Sequence, residues 1–476
     1  MKKYIKNLMR CLSPADVFLF LVFTVFQLVL SWWFRKLFFI TVFLALLIYY
    51  LIYAVVFKVD RKLLLHKFDV IDLAAVLFVV ALCVSSFLSE YKSFSVGILG
   101  EQEGIIMYLF YLAAFILLRR VIHFEEWHFY LFVAAGVVVS AVAIPVFFGV
   151  FRVFVSPAIF TTYTNVDMFS QMLAMYFAAN FLLSLRQSDR GMQVFHFLAE
   201  LLFIFCIIIA QCDGMIVFLA VFFIALPYIV KIDLTVIKRM ILCSSALFFD
   251  IAFFNIFEKL AMPYAPSFLI IFAKNIPFYI TLPIGAVLFA AALLIKTDKN
   301  KDFTRIYKWA FPGLITACVV TVFAFWKEPL LWYFDVYGGK RLGLIKTVFS
   351  AYSKVFSPVQ KLFGTGMYSF GEFLENHCSY LIPKNLADDL IFPHNFISEL
   401  IFETGAIGFI TCGVFLGSAI KNAANQKDKC RQIAFVSVIL YLVTRLFYVP
   451  SPEITPIVLL FLAGCCPVLQ KKNSPR

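Results

Sequence analysis

Four polar residues, His394, Asn395, Glu399 and Glu403, stand close together where a long apolar stretch begins. A histidine side chain titrates near neutral pH, so His394 can exchange a proton or contact a phosphate. Glu399 and Glu403 share one face of a helix and can act as an acid and a base. A structural role accounts for the same residues, because Asn395 suits a helix N-cap and first-turn carboxylates favour a helix N-terminus. At this level both interpretations stay open.

The segment 327–396, which ends with His394 and Asn395 at the start of the next apolar stretch, is the longest polar stretch of the chain. Within it, 341–356 places apolar residues at helical spacing, which predicts a helix lying on a membrane surface. In the turn at 363–366, Gly364 and Gly366 let a ligand or another helix approach closely. The segment keeps the basic residues Lys327, Lys340, Arg341, Lys346, Lys354, Lys361 and Lys384, and the apolar face is Leu342, Ile345, Phe349, Tyr352 and Phe356.

Apolar runs long enough to cross a bilayer recur along the 476 residues, of which 63% are hydrophobic and 14% charged. Soluble domains are less apolar and more highly charged, and a helix of about 20 apolar residues spans the hydrocarbon core. The composition predicts an all-α polytopic membrane protein with about 12 to 14 transmembrane helices, and it excludes a soluble enzyme, a secreted disulfide scaffold and a nucleic-acid binder. The candidate spans are 15–34, 37–57, 70–89, 105–118, 128–150, 168–185, 194–211, 213–230, 240–257, 275–295, 309–326, 397–420, 432–449 and 455–470.

Basic residues indicate which side of the membrane each turn faces. Of the 41 lysines and arginines, 27 fall in the even-numbered turns and at the two termini, so the positive-inside rule predicts that both termini are cytoplasmic. The chain then divides into helices 1–11 at 1–326, one large external loop with short helices at 327–396, and C-terminal transmembrane helices at 397–476. The eleven cysteines show neither a disulfide framework nor a CxxC metal site.

A family resemblance rests on several of these segments. The string at 394–408 resembles the HN…E-x-G-x-x-G signature of the O-antigen ligase and polysaccharide polymerase superfamily, and its position after the largest external loop is similar as well. Arg341 followed by 363–366 resembles the external arginine and G-x-G stretch of that family. Weaker similarities lie at 160–173, with Asn165 ahead of a span, and at 100–104, which reads Gly-Glu-Gln-Glu-Gly.

The resemblance implies a GT-C-like fold and a metal-independent inverting glycosyltransferase, with no cofactor, in the lipid bilayer of the bacterial cytoplasmic membrane. Its donor would be an undecaprenyl-diphosphate-linked glycan, and its acceptor a saccharide of a lipid A core, a cell-wall polymer or another lipid-linked repeat. His394 would then be the base that deprotonates the acceptor hydroxyl, and Arg341 would bind the diphosphate through its planar fork. The other expected substrate-binding residues are Lys340, Asn395, Gly364, Gly366, Glu403, Asn165 and Arg445.

One position departs from the family pattern. Many members carry a Ser-Arg pair where 211–214 reads Gln-Cys-Asp-Gly in this chain, and the acidic Asp213 cannot help to hold a diphosphate. Lys340, Lys274 or Arg445 can supply the second positive charge, and Lys340 is favoured because it adjoins Arg341. Otherwise the donor is held differently, or the activity is altered.

Two other functions remain open. A transporter of lipid-linked glycan or polysaccharide would use polar residues inside spans as a pathway, and Asp250 and Arg445 are such residues that can pair. A transporter should also show paired broken helices in two halves, yet no internal repeat is visible. The third function is that of a non-catalytic partner of the glycan assembly machinery, which the missing arginine favours.

Overall fold

The computed structural model describes residues 13–29, 32–56, 68–92, 96, 103–148, 162–163, 165–212, 214–257, 268–297, 300–325, 339–382, 393–424, 428–446 and 453–468. Nineteen α-helices can be bounded in these ranges, which contain no strand. In chain order they are α1 (Pro14–Phe23), α2 (Val25–Leu28), α3 (Trp32–Val56), α4 (Val70–Leu88), α5 (Gly104–Val121), α6 (Glu126–Phe147), α7 (Val166–Ser184), α8 (Arg190–Ile209), α9 (Gly214–Ile229), α10 (Leu234–Phe257), α11 (Phe268–Asn275), α12 (Phe278–Leu294), α13 (Thr304–Phe325), α14 (Gly339–Lys354), α15 (Pro358–Phe363), α16 (Phe370–Cys378), α17 (Phe396–Ala424), α18 (Lys429–Thr444) and α19 (Thr455–Cys465).

The apolar runs form helices because a backbone in lipid must satisfy its hydrogen bonds within its own segment. Eight helices, α3 to α8 together with α10 and α17, are long and apolar enough to cross a membrane. Four shorter apolar segments, α1 with α2, α9, α12 and α19, occupy further predicted spans. The predicted all-α polytopic architecture is therefore confirmed, and the GT-C-like arrangement and the external placement of 327–396 stay predictions.

Polar caps set where several of these helices begin. Asp69 precedes α4 and accepts hydrogen bonds from the backbone N–H groups of Ile71 and Asp72. Ser357 forms a capping box with Gln360 and places Pro358 at the first position of α15. Each cap satisfies backbone donors that have no partner inside the helix, so these boundaries follow from local sequence.

The first of two compact units comprises Met1–His128, Tyr337–Val438 and Arg445–Arg476. In it α4 packs along α17, and α5 packs against α4 and α19. At one end of the unit, Arg119 and Arg120 of α5 form ion pairs with Asp69, which is partly exposed, and with the buried Asp72; the Nη2–Oδ2 distances are 2.6 Å for Arg119–Asp69 and 2.7 Å for Arg120–Asp72. The opposite end, called the site end below, gathers the C-terminus of α4 and the N-termini of α5, α17 and α19.

Short helices between α13 and α17 enclose a separate apolar core in the first unit. The predicted helix at 341–356 is present as α14, whose Leu344, Val348 and Ala351 are buried, whereas Phe349 is 47% exposed. The inward face therefore differs in part from the predicted apolar face, of which Phe349 is exposed but Phe356 lies in the core. The core consists of Leu344, Val348, Ala351, Phe356, Phe370, Phe373, Leu374, Cys378 and Phe402.

The second unit comprises Phe129–Val336 and Ile439–Thr444. Here α10 packs along α12 and α8, and α7 packs against α8 and α9. Its buried polar groups include the pair Arg239–Glu200, with Nη2 and Oε1 2.8 Å apart. His196 Nδ1 and Asn180 Oδ1 lie 2.7 Å apart in the same unit.

Candidate functional site

His394 and Asn395 form a tight corner at the start of α17. The backbone of His394 is left-handed, with φ at 48°, and its side chain is half-buried. Asn395 caps the helix, because its Oδ1 accepts from the backbone N–H of Ser398 at 3.0 Å, while its Nδ2 donates to the carbonyl of Leu446 at 2.9 Å. The N-cap interpretation of Asn395 thus describes its geometry, and the corner holds His394 at the site end.

The Gly364–Gly366 turn docks against α17, where that helix is interrupted at Gly405. The N–H groups of Thr365 and Gly366 donate to the carbonyls of Phe402 and Glu403 at 3.1 and 3.0 Å. A straight helix would pair those carbonyls with residues four positions further on, so the turn satisfies acceptors that the kink releases. The segment that approaches Gly364 closely is thus the helix α17.

Two glycines with positive φ make this crossing possible. Gly364 has φ at 77° and Gly405 has φ at 64°, both in the left-handed region that favours glycine. A Cβ atom on Gly405 would meet the backbone carbonyl of Leu362 at 2.5 Å. Ser85 of α4 adds a third element, since its hydroxyl donates to the Glu403 carbonyl at 2.5 Å. Three elements therefore meet at Glu403.

Glu103, just before α5, reaches the same end of the unit. Its backbone N–H donates to the hydroxyl of Tyr368 at 3.0 Å, and its Oε1 accepts from the Tyr111 hydroxyl at 2.9 Å. Burial raises the pKa of Glu103, although hydrogen bonds from Thr455 and Tyr111 oppose this. Burial, with the nearby Glu103 carboxyl, also raises the pKa of Tyr368 well above its usual value.

Glu399, Glu403 and Arg445 are all buried, at 7%, 4% and 4% exposure. Arg445 Nη2 lies 3.0 Å from Glu399 Oε2, so these two side chains form a buried ion pair. Asp250 lies in the second unit, and its expected pairing with Arg445 stays a prediction. Glu403 is hydrogen-bonded through its carboxyl to the backbone of Tyr368.

The structure places four of the segments selected from sequence in the first unit, and within it 363–366 contacts 399–403, Glu103 contacts Tyr368, and 394–395 begins the helix that carries 399–403. Sequence reasoning did not select Ser85, and no local signal distinguishes this serine from others in the spans. Tyr368 was also missed, although it stands two residues after the Gly364–Gly366 turn. Glu103 belonged to a noted string but was not chosen as a site residue.

Other selected residues lie elsewhere or beyond the described part of the chain. Asn165, in the second unit, is the N-cap of α7, and its Oδ1 accepts from the N–H of Asp167 at 2.9 Å. Lys274 is exposed on α11. Lys340 and Arg341 stand in the first turn of α14, but their side chains lie outside the described ones, as does the whole of Asp213.

No family model matches the chain, and no curated protein matches it. The residues themselves therefore carry the chemical interpretation. Among the residues that the structure describes, no three His, Cys, Asp or Glu side chains are grouped so as to hold a metal ion.

Proposed function

We propose that this protein is an inverting glycosyltransferase of the bacterial cytoplasmic membrane. It transfers a glycan from an undecaprenyl-diphosphate-linked donor to a saccharide acceptor at the outer face. The observation that supports this most is that the Gly364–Gly366 turn contacts α17 at Phe402 and Glu403, that Glu103 contacts Tyr368, and that the same helix α17 begins at the His394–Asn395 corner. These are segments on which the family resemblance rests, and they are far apart in sequence.

In the proposed reaction, His394 takes the proton of an acceptor hydroxyl. The oxygen attacks the anomeric carbon from the side opposite the diphosphate, a new C–O bond forms, and the bond to the diphosphate breaks. The electron pair leaves with the lipid diphosphate, and the anomeric centre is inverted. Arg341 and Lys340 stabilise the developing negative charge, because cations placed where charge develops lower the barrier.

The test uses purified protein in proteoliposomes with an undecaprenyl-diphosphate oligosaccharide and each of the three acceptor classes. His394→Asn should reduce transfer by roughly 10² to 10⁴-fold, the usual contribution of acid–base catalysis. Asparagine tolerates a left-handed backbone, so this substitution separates loss of the base from backbone strain. The matched control is His377→Asn, because His377 lies in the same segment with a side chain 42% exposed.

The transfer assay has three informative outcomes. Transfer by the unsubstituted chain, lost in His394→Asn and kept in His377→Asn, supports the proposal. Full transfer in His394→Asn removes His394 as the base. Movement of the donor across the bilayer without transfer to any acceptor would instead favour the transporter.

A second substitution tests whether Arg341 binds the diphosphate through its bidentate guanidinium. Arg341→Lys keeps the charge but loses the bidentate fork, so donor use should fall on the order of 10- to 100-fold, as expected for the loss of a charge-assisted hydrogen bond. Lys346→Ala serves as the control, because Lys346 is exposed on the same helix α14. Equal donor use in the two variants would contradict the role of Arg341.

A further inference from the structure

The corner that carries His394 is joined to Arg445 and Leu446, the two residues that follow α18, by several contacts within the first unit. The first backbone N–H of α17, from Phe396, donates to the carbonyl of Arg445 at 3.0 Å. One residue earlier, Asn395 Nδ2 donates to the carbonyl of Leu446 at 2.9 Å. The carbonyl groups of Arg445 and Leu446 therefore accept hydrogen bonds from the two residues that follow His394.

The side chain of Arg445 extends the same connection by one helical turn. Its guanidinium lies 5.2 Å from the ring centroid of Phe396 and pairs with Glu399 at 3.0 Å. A rotation or a shift of the first turn of α17 would break the pair, the ring contact and both backbone-carbonyl hydrogen bonds together. The pair thus fixes the direction in which the chain leaves His394.

Burial makes this arrangement costly unless both partners are present. Arg445 and Glu399 are 4% and 7% exposed, and removing one partner of a buried pair leaves a charge without compensation. Apolar side chains would hold two helix ends together with no such penalty. A buried pair is better explained by a need for one defined orientation, which its directional hydrogen bond supplies.

We propose that Arg445 and Glu399 are positioning residues for His394, and that Arg445 acts through Glu399 and the start of α17 instead of contacting the donor diphosphate. This inference rests on the proposed glycosyl transfer. The pair holds the corner so that the imidazole meets the acceptor hydroxyl in reactive geometry. A displacement of about 1 Å of a catalytic group can cost 10²-fold in rate.

The experiment measures kcat and donor KM for Glu399→Gln and Arg445→Lys, each normalised to correctly folded protein from size-exclusion chromatography. Both variants should lose kcat on the order of 10- to 100-fold, with donor KM changed by less than about threefold because neither residue contacts the donor. Glu375→Gln is the control, because Glu375 is exposed on α16, and it should keep both parameters.

A second arm tests the pair directly. The double variant Glu399→Gln with Arg445→Gln replaces the ion pair by two amides that can still hydrogen-bond, so it should recover part of the kcat lost in Glu399→Gln. Asn395→Asp keeps the cap acceptor for Ser398 but loses the donor to Leu446, and it should show the same loss of kcat without a change of KM.

The outcomes separate this inference from the function on which it rests. Absence of transfer by the unsubstituted chain would overturn the proposed function. Active protein in which His394→Asn is inactive, but Glu399→Gln and Arg445→Lys keep normal kcat per folded molecule, would overturn the positioning role alone. A raised donor KM in Arg445→Lys with normal kcat in Glu399→Gln would make Arg445 a diphosphate contact.

Discussion

Glu103 shows what burial does to a single carboxyl group at the site end. It is fully buried, with the Tyr111 hydroxyl on Oε1 and the charges of Lys36 and Arg445 near it. These partners favour the ionised form, but removal from water outweighs them and the pKa is raised. The folded protein therefore binds this proton more tightly than the unfolded chain does.

The free energy of unfolding should consequently fall as the pH rises through the range in which Glu103 titrates. The unfolded carboxyl titrates near pH 4.3; below that pH both states are protonated and the residue costs nothing. Between that pH and the raised folded-state pKa, the unfolded chain loses its proton first, so the free energy of unfolding decreases, and the full loss persists above the folded-state pKa. Glu103→Gln should remove this part of the pH dependence.

Thermal unfolding of the detergent-solubilised protein from pH 4 upwards measures the effect. The unfolding temperature of the unsubstituted chain, relative to that of Glu103→Gln, should decline with rising pH. The exposed Glu375 supplies the comparison substitution, Glu375→Gln. A constant difference across the range would show that Glu103 does not titrate differently in the two states.

At the scale of elements, the break in α17 is matched by the turn that covers it. Gly405 takes φ of 64° and ψ of −166° inside the helix, and the carbonyls before it receive the N–H groups of Thr365 and Gly366. The Gly364–Gly366 turn and the kink at Gly405 thus contact each other directly. Both stretches contain glycine because their backbones approach each other so closely that no Cβ atom fits between them.

Gly405→Ala should destabilise the protein strongly. A non-glycine residue at this φ and ψ costs about 1–3 kcal/mol, and the new Cβ would also meet the nitrogen of Gly364 at 2.6 Å. Gly413→Ala in the same helix is the matched control, because nothing lies within 4 Å of a Cβ there, and it should stabilise by up to about 1 kcal/mol. Unfolding temperatures of the two variants make the comparison, and equal values would contradict the crossing.

The pair Glu200–Arg239 joins α8 and α10 in the interior of the second unit, where the residues are 0% and 5% exposed. Glu200→Leu alone or Arg239→Met alone should lower the free energy of unfolding by about 3–5 kcal/mol, because one charge stays buried without its partner. The double variant should recover most of that loss. A double-mutant cycle of unfolding free energies checks this, and simple additivity of the two losses would rule out the coupling.

At the scale of the whole molecule, the distribution of charge predicts sidedness. The 27 basic residues assigned to the inside include turns of both units, and the positive-inside rule applies to such short turns. Lys301 stands in a predicted cytoplasmic turn, and Val359 stands in the predicted external segment.

Labelling of intact cells with a membrane-impermeant thiol reagent tests the topology. Val359→Cys should react, because Val359 is 53% exposed on α15, and Lys301→Cys should react only after permeabilisation, each compared with the unsubstituted chain. The reverse pattern would invert the orientation and place the His394 corner on the cytoplasmic side.

Much of the architecture was predictable because it is local. Fourteen apolar runs coincide with described helices, since a backbone in lipid has no other way to satisfy its hydrogen bonds. Ends were less predictable: the first run, expected at 15–34, is divided into α1 and α2 and finishes at Leu28. The Asn395 cap was also readable, because a cap involves residues three positions apart.

The sequence by itself determined the helices, their caps, the membrane class and the strings that carry the resemblance. Only the tertiary structure decided which of these residues meet: Glu399 with Arg445, Glu103 with Tyr368, and the Gly364–Gly366 turn with the kink at Gly405. Hydropathy and helical period describe neighbours within one helix, and they do not show that Glu399 lies beside Arg445. That contact depends on the packing of separate segments, because an ion pair in the interior forms only where that packing brings both charges within hydrogen-bonding distance.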